Sequence, residues 1–335
     1  MTKATTLFYI MSFLIASVCN GQQKQLKMEN KINNPLLCDP ETGVCEIPTA
    51  QKTNDNEIVS DQKKPVKIIY FTDPICSSCW GIEPQLRKLK LEYGNNIEID
   101  YRMGGLLPNW SYNSGGISKP SDVAHHWDEV SLYYDMPIDG DIWLENPLNS
   151  SYPPSIAFKA AQMQDETKAV QFMRRIREMV FLEKKNITLW EHISKAASET
   201  GLDAVKLKTD YETKAIELFE ADLELAKNMG VRGFPTLFFI DSQNNKQMVY
   251  GFKPYKEFED AVLKTFPNAS KVNYDNSWRG LFNKYPTLAS KEFSELSGST
   301  KNDSEILLQK LTNEGKLSKT TTKNGNIWTI INASR

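Results

Sequence analysis

Apolar residues first cluster into a dense run from Val66 to Thr72 (VKIIYFT), whose β-branched and aromatic content predicts a buried strand closed by Asp73-Pro74. A helix is predicted from about Cys76 to Tyr93, with Leu86, Leu89 and Leu91 as apolar positions and Gly94 as its stop. Ile97 to Met103 (IEIDYRM) alternates as a second strand. Strand, helix and strand in this order predict a parallel pair joined by a right-handed crossover.

Gly104 to Pro154 keeps no sustained period, is rich in Gly, Pro, Trp and Tyr, and reads as irregular. From Ser155 to Met229 the period turns helical. Ile156-Ala157-Ala160-Ala161, Phe172-Ile176-Val180 and Leu218-Leu225-Met229 mark about three or four helices, with a break at Gly201. Gly230-Val231-Arg232-Gly233-Phe234-Pro235 is a sharp loop. Thr236–Asp241 and Lys246–Tyr250 then predict paired strands about a turn at Gln243–Asn245. Lys256–Phe266 is a helix with Phe258, Ala261, Val262 and Phe266 on one side. Beyond Asn268 come helical stretches near Leu288–Leu296 and Ser304–Asn313. Lys323-Asn324-Gly325-Asn326, between Ser318–Thr322 and Ile327–Ile331, is a hairpin signature. Helix, helix and hairpin outline a small winged-helix-like module over 273–335.

The N-terminus follows another logic. Lys3 precedes Leu7–Val18, an apolar run too short to span a bilayer comfortably, and polar sequence follows at once. Residues 1–21 are therefore expected to be an export signal. The expected location is the periplasm or the outer side of the cytoplasmic membrane. Cys19 closes the run where a lipoprotein carries its lipidated cysteine, but bulky Val18 stands where a small residue is usual. Lipidation, giving a lipid anchor, and simple cleavage a few residues later both remain open. Residues 22–64 are polar and read as an arm or linker.

The chain has 335 residues, 40% hydrophobic and 24% charged, enough for two folded modules. A net charge of −2 offers no basic excess for nucleic acid, and the lysines of the tail are balanced by glutamates. Three histidines argue against a His-rich metal site. His125 and His126 are adjacent, so they do not face one another on a helix. His192 is expected on a helix face without a special role.

Export would change the meaning of the cysteines, because thiols outside the cytosol can persist as disulfides. Of five, Cys38, Cys45, Cys76 and Cys79 remain after signal removal. Cys76-Ser77-Ser78-Cys79 lies after a strand at the start of a helix, where i to i+3 spacing places Cα atoms about 5–6 Å apart, within disulfide reach. Free N–H groups and the helix dipole there favour a thiolate, so Cys76 is expected to be the ionised nucleophile and Cys79 the resolving thiol. A permanent disulfide would close a loop too short to add much stability. Zinc would need all four cysteines to converge. No organic cofactor or metal is called for. Cys38 and Cys45 flank the turn signals Asp39-Pro40 and Thr42-Gly43. They are read either as a structural disulfide or as a mobile pair that exchanges with Cys76 and Cys79.

Phe71-Thr72-Asp73-Pro74-Ile75-Cys76-Ser77-Ser78-Cys79-Trp80 resembles the active-site opening of the DsbA-like, FrnE-like branch of the thioredoxin superfamily, which also resembles the YjbH/SpxH proteins. Pro84 sits where helices of this type kink, and Gly230–Thr236 resembles the family's cis-proline loop. Ser150-Ser151-Tyr152-Pro153, with Ala157 and Ala160-Ala161, resembles the branch's insertion. The resemblance implies an α/β thioredoxin-like fold over 65–267, with a helical insertion at about 105–229. It implies dithiol–disulfide exchange with protein substrates and a redox recycling partner. Phe234, a cis Pro235 and Thr236, with Trp80, would shape the substrate edge. Two departures stand out. Tyr70 occupies a position often acidic, leaving Asp73 and Glu83 as weak candidates for the base. Ser-Ser between the cysteines implies a milder poise than a strong oxidant. Trp110, Trp127, Trp143, Tyr133 and Tyr134 are either core or the lining of a groove over the pair. The leading expectation is an exported thiol–disulfide oxidoreductase. The alternative is an adaptor or chaperone-like protein that binds a client without disulfide turnover.

Overall fold

The computed structural model describes residues 43–46, 64–111 and 119–331. The export signal, Cys19 and its lipidation, and Cys38 all lie outside the described residues. No helix among the described residues is long and apolar enough to cross a membrane.

The described chain opens with β1 (Cys45–Glu46), β2 (Val66–Thr72), α1 (Ser77–Gly81), α2 (Glu83–Tyr93) and β3 (Ile97–Met103). The two long strands pair in parallel, from Val66 opposite Ile97 to Thr72 opposite Met103. The helix expected over 76–93 is broken at Ile82, because Pro84 in the first turn of α2 brings no N–H and its ring crowds the preceding turn.

The insertion carries α3 (Pro120–Tyr134), α4 (Ile142–Glu145), α5 (Tyr152–Gln162), α6 (Glu166–Leu182), α7 (Trp190–Glu199), α8 (Ala204–Tyr211) and α9 (Lys214–Asn228). Helix α3 lies inside the stretch expected to be irregular. Its buried Val123, Trp127, Val130 and Tyr134 follow helical spacing, but β-branched and aromatic side chains are weak helix formers and masked the period. Asp222 of α9 fastens the insertion to the sheet. Fully buried, it accepts bonds from Arg102 (3.0 Å) and the Met103 N–H (2.9 Å) and pairs with Lys159 (2.9 Å).

The chain then returns through β4 (Gly233–Phe234), β5 (Thr236–Ile240), β6 (Lys246–Tyr250) and α10 (Tyr255–Thr265). The main sheet has the order β3-β2-β5-β6, with β5 antiparallel to both neighbours. This is a thioredoxin-like fold with a helical insertion. Its core includes Ile68, Phe71, Leu89, Phe158 and Phe239, each fully buried. Large apolar side chains of this kind contribute roughly 1.5–3 kcal/mol apiece by leaving water.

The C-terminal part comprises α11 (Trp278–Lys284), β7 (Thr287–Ala289), α12 (Ser290–Ser297), α13 (Lys301–Asn313), β8 (Leu317–Thr322) and β9 (Gly325–Ile330). Two helices and the hairpin lie where the pattern places them, and α11 and β7 add to that outline. The three strands form a sheet of order β7-β9-β8. The module has its own apolar cluster, including Leu281, Phe282, Phe293, Leu308 and Trp328. It docks on α2 through Arg87–Glu292 (3.1 Å) and Lys88–Glu295 (2.9 Å).

Candidate functional site

The loop after β2 is shaped by Asp73. One carboxylate oxygen accepts the Ile75 N–H (3.0 Å); the other accepts the Leu106 N–H (2.8 Å) and the Ser151 hydroxyl (2.8 Å). These bonds tie together the ends of β2 and β3 and the start of α5. Asp73 is thus committed to structure, not to a base role at the dithiol. Burial pushes its carboxyl up to about 6. Glu83, the other base candidate, is bonded to Arg177 (2.7 Å) and faces Arg87 at 3.7 Å. Despite its burial, Arg177 and Arg87 hold its carboxyl below the usual range. The Tyr70 hydroxyl is fully buried close to Arg177 and the two cysteines, and burial pushes it well up.

Cys76 is the N-cap of α1, and its sulfur accepts the Cys79 N–H at 3.1 Å. Both cysteines are free thiols and both are 0% exposed. This corrects the expectation of an acidic, reachable Cys76. Burial pushes the Cys76 thiol well up, outweighing the N–H bond from the helix start. Burial works the same way at Cys79, but hydrogen bonds with Cys76 and Thr72 and the Arg177 charge prevail and lower it.

Arg177 escaped the sequence reading. It sits on α6, 0% exposed, donating to the Thr72 hydroxyl (2.6 Å) and the Asp73 carbonyl (3.2 Å). Its only sequence signal is a charge next to the apolar run Met179–Leu182. Trp80 also needs correction as a substrate-edge residue. It is fully buried, donates to the Pro137 carbonyl (3.0 Å), stacks on Phe181 (5.5 Å) and lies under Arg174 (4.3 Å). Its place is the joint between α1 and the insertion.

The Phe234–Pro235 peptide is cis. Thr236 is buried, opposite Phe71 and Tyr250, and its hydroxyl donates to the Gly233 carbonyl (2.7 Å). The neighbouring edge is occupied by the chain's own arm. Strand β1 runs antiparallel to β4, with Cys45 opposite Phe234 and Glu46 opposite Gly233. Gly43, at φ 65°, accepts the Phe252 N–H (2.8 Å) and turns the arm onto the loop; a Cβ there would lie 2.4 Å from that of Phe252. Val44 and Cys45 are buried.

The Cys45 sulfur lies 3.6 Å from the Cys76 sulfur and 3.5 Å from the Ser78 hydroxyl. Ser78 in turn lies 2.6 Å from the Tyr134 hydroxyl. Cys45 is itself disulfide-bonded, to neither Cys76 nor Cys79. Its partner is outside the described residues.

Of the aromatic candidates, Trp127 packs on Trp143 (5.1 Å) and Phe181 (4.7 Å), and Trp110 meets Trp143 edge-on (5.9 Å). These are core contacts. Tyr133 instead meets Phe252, which holds the arm, edge-on (5.7 Å), and Tyr134 packs against it at a tilt (4.9 Å). His125 is exposed beside Glu129 (3.1 Å), and burial pushes His126 down to about 4. His192 bonds the Asn186 carbonyl (2.8 Å). Among the described residues no group of His, Cys, Asp and Glu could hold a metal ion.

A family model described as Thioredoxin matches residues 70–260. The ClpXP adapter protein SpxH of Halalkalibacterium halodurans is 32% identical over 301 residues, covering 88% of this chain and 97% of that protein. The Bacillus subtilis protein of the same name is 29% identical over 271 residues, covering 79% and 89%. A candidate protein disulfide isomerase from Nitrosomonas europaea shares the fold, with a TM-score of 0.52 at 19% identity, over 61% of this chain and 97% of that one. The expectation of an exported thiol–disulfide oxidoreductase is corrected by these relatives. Proteins matched along nearly their whole length are named as adapters, not as enzymes of disulfide exchange. The chain belongs to the thioredoxin family, on the branch that resembles the SpxH adapter proteins.

Proposed function

We propose that this protein is an adaptor: it binds a protein client, and the thioredoxin fold serves as a recognition scaffold rather than a machine for turning over disulfides. The observation that carries this reading is the complete burial of both dithiol sulfurs, with Cys45 of the chain's own arm 3.6 Å from the Cys76 sulfur. A dithiol that exchanges with other proteins must present a thiolate to them. Here burial raises the Cys76 thiol, and the backbone edge an incoming strand would use is already paired. The names of the relatives make ClpXP the first partner to test.

The test pairs binding with turnover. Full-length protein and the Cys76→Ser/Cys79→Ser variant are titrated against the ClpXP of the same cell and assayed for insulin reduction. The expected result is a Kd equal within about twofold and no turnover that depends on the cysteines. Loss of binding in the variant, or insulin reduction that vanishes with the cysteines, overturns the reading.

The export reading of residues 1–21 is a competing proposal, because an exported chain would be separated from a ClpXP in the cytosol. It predicts a shortened chain in the envelope fraction. An unshortened chain among soluble proteins contradicts it.

A further inference from the structure

We infer that the disulfide at Cys45 is an internal exchange partner of the Cys76/Cys79 dithiol, so that two electrons can pass between the core of the fold and its own arm. This goes beyond client binding and does not depend on it.

The geometry carries the argument. Thirty-one positions apart in sequence, Cys45 and Cys76 bring their sulfurs to 3.6 Å, close to van der Waals contact. The approach is held from three sides. Antiparallel pairing sets Cys45 opposite Phe234, and a slip of one residue would turn its side chain to the other face. Gly43 is locked to the Phe252 N–H (2.8 Å). Ser78, beside Cys45 at 3.5 Å, is held by Tyr134 at 2.6 Å. One of the two close sulfurs belongs to a disulfide and the other to a thiol. That is the pair of oxidation states exchange requires. The third sulfur, Cys79, sits one helical turn on, with its N–H on Cys76 at 3.1 Å.

The exchange balances without an outside oxidant. The Cys76 thiol gives up its proton and its sulfur attacks that of Cys45. The bond between Cys45 and its original partner breaks, and the partner leaves as a thiolate that takes up a proton. Cys79 then attacks Cys76 in the Cys45–Cys76 disulfide, releasing Cys45 as a thiol. The dithiol has been oxidised to a Cys76–Cys79 disulfide, and the arm disulfide has been reduced to two thiols. Because the reactants share one chain, the local concentration of the arm disulfide is set by the fold, not by dilution.

Disulfide mapping by mass spectrometry on the acid-quenched full chain tests this, in anaerobic buffer without redox reagents. In Cys79→Ser the sequence of steps stalls halfway. A Cys45–Cys76 linked peptide is expected at ~10-fold or more above the wild-type level. Only the original arm disulfide in a folded Cys79→Ser chain, with Cys76 still free after hours, overturns the inference. Wild-type protein gives a second readout that needs no variant. Prepared with the disulfide either in the arm or at Cys76–Cys79, it is expected to reach the same ratio from both sides within hours, and Cys76→Ser blocks the change. Two preparations that keep their starting ratios overturn the inference equally.

Discussion

Arg174 grips both carboxylate oxygens of Glu292, at 2.7 and 3.0 Å, across 118 positions of sequence. The same carboxylate receives Arg87 at 3.1 Å and caps the Ala289 N–H at 2.8 Å, while remaining fully buried. One side chain of α12 thus joins the insertion, the thioredoxin core and the C-terminal module.

Removing it should be costly. Glu292→Ala leaves buried Arg87 with only the Glu83 carboxylate at 3.7 Å and partly buried Arg174 with only the Glu178 carboxylate at 2.7 Å, beside an unmatched cavity, and breaking a buried pair from one side costs about 3–5 kcal/mol. Urea unfolding should show that loss in the full chain. A loss below about 1 kcal/mol would mean the charges relax into water and the module is only loosely docked.

Two buried groups should write opposing pH dependences. Asp73 keeps its proton up to about 6 in the fold, against 3.8 ordinarily. Its contribution to stability is full below the lower value and is lost as pH rises through about 6. His126 stays neutral in the fold down to about 4, against 6.5 ordinarily. Its contribution is full above 6.5 and is lost as pH falls toward 4. The two offset between about pH 4 and 6.5, each by about 3 kcal/mol at the extreme. His126→Gln should therefore grow more stable from pH 7 to pH 4.5, and Asp73→Asn less stable. Thermal denaturation across that range checks both signs, and parallel slopes in the two variants would refute the assignment.

Gly104 should tolerate no side chain. A Cβ there would lie 1.8 Å from the Phe234 ring, the residue whose backbone holds Cys45. Gly104→Ala should lose about 1–3 kcal/mol, as overpacked cores do. An unchanged unfolding midpoint would show that the Phe234 ring moves freely.

The strands of the sheet were legible because β2 and β3 carry dense or alternating apolar residues, and both ends of β2 match the pattern. Helix α3 was not, since its apolar stripe is built from Val, Trp and Tyr rather than strong helix formers. At the site, the four-residue cysteine motif and the cis-proline loop could be located from the residues alone. Their state could not. The burial of Cys76 depends on Cys45, thirty-one positions away, pairing with Phe234, at a sequence distance of 189. No local period encodes such a contact. Arg177 was hidden for the same reason: its partners Thr72 and Asp73 lie over a hundred positions upstream.

The shielding of Cys76 by the arm is best measured by alkylation of the native full chain with iodoacetamide, read at Cys76 by mass spectrometry. Protection of ~100-fold or more relative to the unfolded chain is expected, because the arm must open before the thiol reacts. The rate should still climb above the usual thiol range of about pH 8.5, since burial raises this thiol. Gly43→Ala, whose methyl group would meet Phe252, should release the arm and speed the reaction ~10-fold or more. Alkylation of wild-type Cys76 at a rate close to that of the unfolded chain, unchanged by Gly43→Ala, would mean that the arm does not shield this thiol.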